Sequence, residues 1–173
     1  MHALAHAGDR GRYPRPYLDD SPMRYTICPC TRSDDGAWLA LRRALFPHHE
    51  AATLRAEMDR FVARPDRHAQ FLAVDEEGLP VGLAEVSLRA DPVPGTRSTP
   101  VAFLETVYVV PHARRHGLAR ALVTHARAWG RAQGCPEFAS DALLDNADSL
   151  ALHRALGFEE TARIVCFRQR TAG

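Results

Sequence analysis

Residues 101–120 read VAFLETVYVVPHARRHGLAR, and this stretch decides the fold. Its first half is rich in β-branched and aromatic side chains, which fit a pleated, buried strand. Pro111 ends the strand, because proline has no N–H to give to a ladder. The basic turn Arg114-Arg115-His116-Gly117 follows. A helix then opens, with Leu118, Leu122 and Trp129 on related faces. A helix N-terminus carries unpaired backbone N–H groups and a positive partial charge, so it suits an anion. Gly117 lets the backbone approach a phosphate with no Cβ in the way. Ala119 keeps the first turn slim beside Leu118 and Arg120, and Arg114, Arg115 and His116 add donors around it. The predicted ligand is a pyrophosphate. The plain alternative is a glycine-containing loop with a solvated basic cluster. The string is neither a P-loop nor a dinucleotide fingerprint, since the Lys-Ser/Thr ending and the spaced glycines are absent.

Upstream, Tyr25 to Pro29 reads as a short strand. Asp34 and Asp35 offer a cap and first-turn charge to a helix with Trp38, Leu41 and Leu45 on one face, stopped by Pro47. A second amphipathic helix carries Leu54, Met58, Phe61 and Val62 and ends before Pro65. Gln70–Val74 and Val81–Arg89 form a predicted hairpin about Glu76-Glu77-Gly78. Asp91 to Pro100 is a Pro/Gly/Ser-rich loop. Downstream, Gly134 stops the central helix and Glu137–Ser140 is a short strand. Asn146 or Asp148 caps a last helix that Gly157 ends. Phe158–Arg168 is predicted to return as a strand. The order β-α-α-β-β-β-α-β-α-β specifies α/β architecture, a mixed sheet with helices on both faces. Trp38, Trp129, Leu41, Leu122 and Leu156 are the predicted core, and histidines other than those named below are predicted on the surface.

A chain of 173 residues fits one domain. With 46% apolar and 25% charged residues it has the balance of a soluble globular protein. A formal net charge of +1 provides no global field for nucleic acid or an anionic membrane, so a charged ligand must be chosen by a local pocket. No apolar run is long enough to cross a bilayer. Met1 to Pro22 has no apolar signal core, and a cytoplasmic location is the default expectation. Residues 1–22 read as a flexible tail and residues 23–173 as the domain. The cysteines Cys28, Cys30, Cys135 and Cys166 lack metal-ligand spacing, so no metal site is predicted and reduced, mostly packed thiols are.

Arg114-x-x-Gly117-x-Ala119 after a Val-rich strand, followed later by Asn146 and a helix ending in Ala155-Leu156-Gly157-Phe158, resembles the GCN5-related N-acetyltransferase (GNAT) superfamily. The resemblance runs from about Ser33 to Arg170. It implies a mostly antiparallel central sheet and acetyl-CoA as cosubstrate, with no metal. The strings Phe103-Leu104-Glu105, Ala139-Ser140-Asp141 and Gly157-Phe158-Glu159-Glu160-Thr161 are similar to those of bacterial aminoglycoside 6′-N-acetyltransferases. So are Leu45-Phe46-Pro47, Trp129-Gly130 and Gly134-Cys135. Within that family, Glu105 and Asp141 match positions that contact the drug's amino groups, and Phe46 and His49 lie at substrate-side positions. Phe46 stands where the family often has Trp. Ala162 replaces a frequent acidic residue, and Phe167 an aromatic hydroxyl.

Glu105 interrupts an apolar strand, where a carboxylate is costly to bury unless it is paired or lines a polar pocket. Asp141 ends the next strand, where a turn Asp is the plain alternative. Either carboxylate can serve as general base for an ammonium. The resemblance places His153 where many members have a Tyr that protonates the leaving thiolate, and an imidazole can donate a proton near neutral pH; a half-exposed helix histidine is the plain alternative. Asn146 is read as a pantetheine contact or an N-cap. The backbone of Val107, Tyr108 and Val109 would face the acetyl and pantetheine groups and polarise the thioester carbonyl. Direct transfer in a ternary complex is predicted, since no cysteine sits in a nucleophile setting. The resemblance also implies a homodimer, with Thr161–Arg168 pairing across a two-fold axis. Rival readings are an acetyltransferase for a peptide N-terminus, lysine or polyamine, and a non-catalytic acetyl-CoA sensor.

Overall fold

The computed structural model describes residues 24–33 and 35–171. The elements run β1 (Tyr25–Pro29), α1 (Gly36–Leu45), α2 (Ala51–Val62), β2 (His68–Asp75), β3 (Pro80–Arg89) and β4 (Val101–Val109). A 3-10 turn (Pro111–Ala113), α3 (Leu118–Ala132), β5 (Phe138–Ser140) and α4 (Ala147–Leu156) follow. The strands form one sheet in the order β1-β2-β3-β4-β5. The first four are antiparallel neighbours, and β5 joins β4 in parallel.

Each face of the sheet buries one helical layer. On one face α3 lays Leu118, Leu122, Val123 and Ala126 against Val81, Ala84, Val86 and Leu104. Gly130 allows that approach, because a Cβ there would sit 2.3 Å from the Cβ of Ala102. On the other face Trp38 and Leu41 of α1 and Met58 of α2 pack on Leu72 and Leu83. The Asp35 carboxylate caps α1, accepting from the Ala37 and Trp38 N–H groups at 2.8 and 3.0 Å. Asp34 lies outside the described residues, as does the segment read as a tail.

Three sequence expectations need correction. Phe158–Arg168 forms no strand. The sheet ends at three-residue β5, so an extended segment beyond it finds no ladder in its own chain, and propensity alone cannot supply one. Ile164, Val165 and Phe167 of this segment stand 60, 75 and 93% exposed. Trp129 and Leu156 are half-buried at the core's margin rather than inside it. His68 is not a surface residue; it is half-buried, its ring centroid 4.9 Å from that of Phe61.

Candidate active site

A β-bulge builds the site. Glu85 pairs with Thr106 and the next residue, Val86, pairs with Leu104, so Glu105 is the extra residue. A bulge bends its strand and re-aims a side chain. Here it turns Glu105 to the face that carries Ser87 and Arg89. Ser87 Oγ donates to Glu105 Oε1. Arg89 forks onto the same carboxylate, Nε to Oε1 at 3.2 Å and Nη2 to Oε2 at 2.9 Å. The Arg89 guanidinium also lies 3.3 Å above the Phe103 ring centroid. His68 is close enough to feel the Glu105 charge; burial lowers its pKa, and Glu105 opposes that shift.

Beside the bulge the sheet splits. The β4–β5 ladder holds only Ala102↔Phe138, Phe103↔Ala139 and Leu104↔Ser140. Glu105 and Asp141 are therefore the first residues past the last rung on two adjacent parallel strands. Beyond it, Val107, Tyr108 and Val109 pair with β3 alone. No strand pairs with their other edge among the described residues, and of its backbone groups the Val109 carbonyl accepts from Arg114 Nε. At the split, Ser140 Oγ lies 2.9 Å from His153 Nε2 and 3.1 Å from the Leu104 carbonyl oxygen. His153 Nδ1 lies 2.8 Å from the Ser149 carbonyl oxygen. A carbonyl only accepts, so Nδ1 carries a proton. Asn146 Oδ1 accepts from the Ser149 N–H at 3.0 Å, which is the N-cap geometry of α4.

The start of α3 has the features of an anion site. Gly117 is its N-cap at φ 81°, and no side chain caps the helix. Its first-turn N–H groups, from Leu118, Ala119 and Arg120, are not answered by a carboxylate, for the turn has no acidic residue. A Cβ on Gly117 would meet nothing within 4 Å, so the space over the turn is open. Arg115 holds φ 71°, a left-handed value rare for a side-chain-bearing residue. Arg115 and His116 are exposed. Arg114 Nε instead donates to the Val109 carbonyl at 3.0 Å, and Arg120 donates to the Ala155 carbonyl at the end of α4. The turn and the split lie at the two ends of the segment 105–117, a layout that fits a long ligand with a phosphate at one end.

A buried ion cluster ties α1 and α2 to β3. Arg42 Nη1 donates to Glu85 Oε1 at 2.7 Å, and so does Trp38 Nε1. Arg42 Nη2 pairs with Glu57. Burial pushes the Glu85 carboxyl above the ordinary Glu range, while Arg42 and Trp38 oppose that shift. The Arg42 guanidinium also stands 5.5 Å from the Phe46 ring centroid, and Phe46 stacks on His49 at 5.4 Å. Phe46 and His49 thus hang from a cation that α1 anchors to the sheet. Burial raises the Cys30 thiol to about 11, which leaves it unsuited to nucleophilic attack.

The model of the acetyltransferase (GNAT) family matches residues 36–158, a span that contains the bulge, the split and the α3 turn. This chain belongs to the acetyltransferase (GNAT) family. It is similar to aminoglycoside N(6')-acetyltransferase type 1 of Serratia marcescens, 46% identical over 143 residues, which are 83% of this chain and 97% of that protein. The solved structure of AAC(6')-Iy in complex with the bisubstrate analog CoA-S-monomethyl-acetylneamine matches with a TM-score of 0.81 at 36% identity, covering 86% of this chain and 99% of that one. The 6'-N-acetyltransferase AAC(6')-Ih of Acinetobacter baumannii matches with a TM-score of 0.80 at 41% identity, covering 86% and 100%. As a GNAT member the protein is an acetyltransferase, and its mostly antiparallel five-strand sheet agrees with the expected fold.

Within this GNAT chain the sequence reading missed Ser87, Arg89 and Ser140 around the carboxylates, and Arg42 with Glu85 behind them. Period-2 alternation would have put Glu85, Ser87 and Arg89 on one face of β3. Nothing local announced the bulge that brings Glu105 to that face.

Proposed function

We propose that this acetyltransferase moves the acetyl group of acetyl-CoA to the 6′-amino group of aminoglycoside antibiotics, giving resistance to them. The observation that carries the reading is the position of Glu105 and Asp141. Both stand one residue past the last β4–β5 rung, at the end of segment 105–117 opposite the α3 turn. The chain also spans 97% of a relative named for this activity. Acetyl-CoA supplies the activated acyl group. Leu118, Ala119 and Arg120 N–H groups, with Arg115 and His116, hold its pyrophosphate, and the strandless edge of Val107–Val109, whose Val109 carbonyl is held by Arg114, receives its pantetheine arm.

The drug arrives as a polycation. Glu105 and Asp141 hold its ammonium groups, with Phe46 and His49 on the substrate side. Glu105 accepts the proton that the 6′-ammonium must lose before attack. The free amine then attacks the thioester carbon: a C–N bond forms, the C–S bond breaks, and the nitrogen gives up its second proton to water as the amide forms. His153 returns a proton to the departing thiolate. No residue is acylated. Holding both substrates together removes most of the entropic barrier.

Kinetics of two variants test these roles. Asp141→Asn is expected to raise the KM for the drug and leave that for acetyl-CoA unchanged. Glu105→Gln is expected to lower kcat as well. Equal kinetics for both variants and wild type would remove the carboxylates from the site. The enzyme is further proposed to act as a homodimer, supported by the exposed apolar side chains of Ile164, Val165 and Phe167 and by a β5 whose outer side pairs with no other strand among the described residues.

A further inference from the structure

Glu105 is held by two groups of different character. Ser87 is buried, 4% exposed, and its hydroxyl fixes Oε1 from inside the sheet. Arg89 comes from the solvent side; its side chain is 38% exposed, and that of Glu105 is 29% exposed. With Ser87 and both arms of the Arg89 fork, three of about four acceptor positions on the carboxylate are filled. The local charge of Arg89 plus Glu105 is zero. A polycation approaching this point meets a neutral pair, not a carboxylate.

We infer that Arg89 is the resident cation of the substrate site: it occupies Glu105 in the free enzyme and the ammonium group of the substrate displaces it. The inference rests on the reading of Glu105 as a substrate-binding carboxylate. Three features suit Arg89 to exchange. The pair is solvent-facing, so water can take up both partners as it opens, and the cost stays below that of breaking a buried pair. The carboxylate keeps its aim when Arg89 leaves, because Ser87 holds it from the buried side. The guanidinium keeps its stacking on Phe103, whose ring lies beneath it. Arg89 therefore lowers affinity for every cation alike and filters out weak monocations. A substrate with several ammonium groups supplies the attraction needed to open the pair.

Titration calorimetry with kanamycin and the full chain tests this. Arg89→Met keeps an apolar stem over Phe103 and removes the charge. It is expected to bind kanamycin at least about threefold more tightly than wild type at low salt, the scale of one solvent-facing ion pair. Affinity for acetyl-CoA should not change. The gain should vanish in the Glu105→Gln background, where no carboxylate remains to be freed. Arg89→Gln serves as a second variant, with circular dichroism to verify folding of both. Equal or weaker kanamycin binding by the folded variants would overturn the inference and make Arg89 a residue that orients Glu105. Failure of the parent reading looks different: Glu105→Gln alone would then bind kanamycin as wild type does, whatever stands at residue 89.

Discussion

His153 Nε2 lies 2.9 Å from Ser140 Oγ, and Ser140 is the last residue of β5 to pair with β4. The imidazole is thus tied to the point where the sheet opens. Its Nδ1 proton is committed to the Ser149 carbonyl at 2.8 Å. The Ser140 hydroxyl donates to the Leu104 carbonyl at 3.1 Å, so its oxygen is left to accept from Nε2, and a proton at Nε2 is the one available for transfer. His153→Gln is expected to lower kcat by roughly 10²-fold, the low end for general acid catalysis, with drug affinity by calorimetry unchanged. A fall in thermal midpoint with kcat intact would assign His153 a purely structural role.

Gly117→Val is expected to weaken acetyl-CoA binding at least about tenfold, or about 1.4 kcal/mol. Two causes act together. The new side chain enters the open space over the α3 turn, and a β-branched residue is strained at φ 81°. Calorimetry with acetyl-CoA decides the matter, and unchanged affinity in a folded variant would move the anion site elsewhere.

The half-buried His68 predicts a pH effect on stability. Burial lowers its pKa below the ordinary 6.5, with Glu105 opposing. A lowered folded value means the unfolded chain binds the proton more readily. The stabilising contribution is present above pH 6.5 and lost as pH falls through the folded value. Between pH 7 and pH 5 the thermal midpoint of wild type should fall further than that of His68→Gln. Parallel curves would show that His68 makes no contribution.

How much was legible in the sequence depended on how local each cause was. The α3 turn could be read because Gly117, the basic residues and the preceding strand are contiguous, and Gly117 does take the left-handed conformation its position calls for. The Asp35 cap and the apolar faces of α1 and α3 were equally local. Glu105 stood out as a charge in an apolar strand, but its surroundings did not. Ser87 and Arg89 reach it only through a register shift between β3 and β4, which is set by the pairing of two strands and not by either alone. The Arg42–Glu85 contact joins residues 43 positions apart and left no pattern to find. The last strand failed for a related reason: Ile164, Val165 and Phe167 have strand character, yet a strand forms only by pairing, and this segment does not pair with the three-residue edge strand β5.

That exposed segment bears on assembly. If 161–168 pairs across a two-fold axis, light scattering at working concentration gives twice the chain mass, and Val165→Asp with Phe167→Asp shifts the protein towards monomer. A wild-type monomer mass would contradict the dimer.

The central claim is the substrate, and thiol release with purified enzyme and acetyl-CoA tests it most directly. Kanamycin, tobramycin and amikacin should each release coenzyme A, with NMR placing the acetyl group on the 6′-nitrogen. A drug bearing a 6′-hydroxyl should release none, and rising salt should raise the KM for the drugs as ion pairs with Glu105 and Asp141 are screened. Inert aminoglycosides alongside turnover of a peptide or polyamine would contradict the account, leaving an acetyltransferase for another amine.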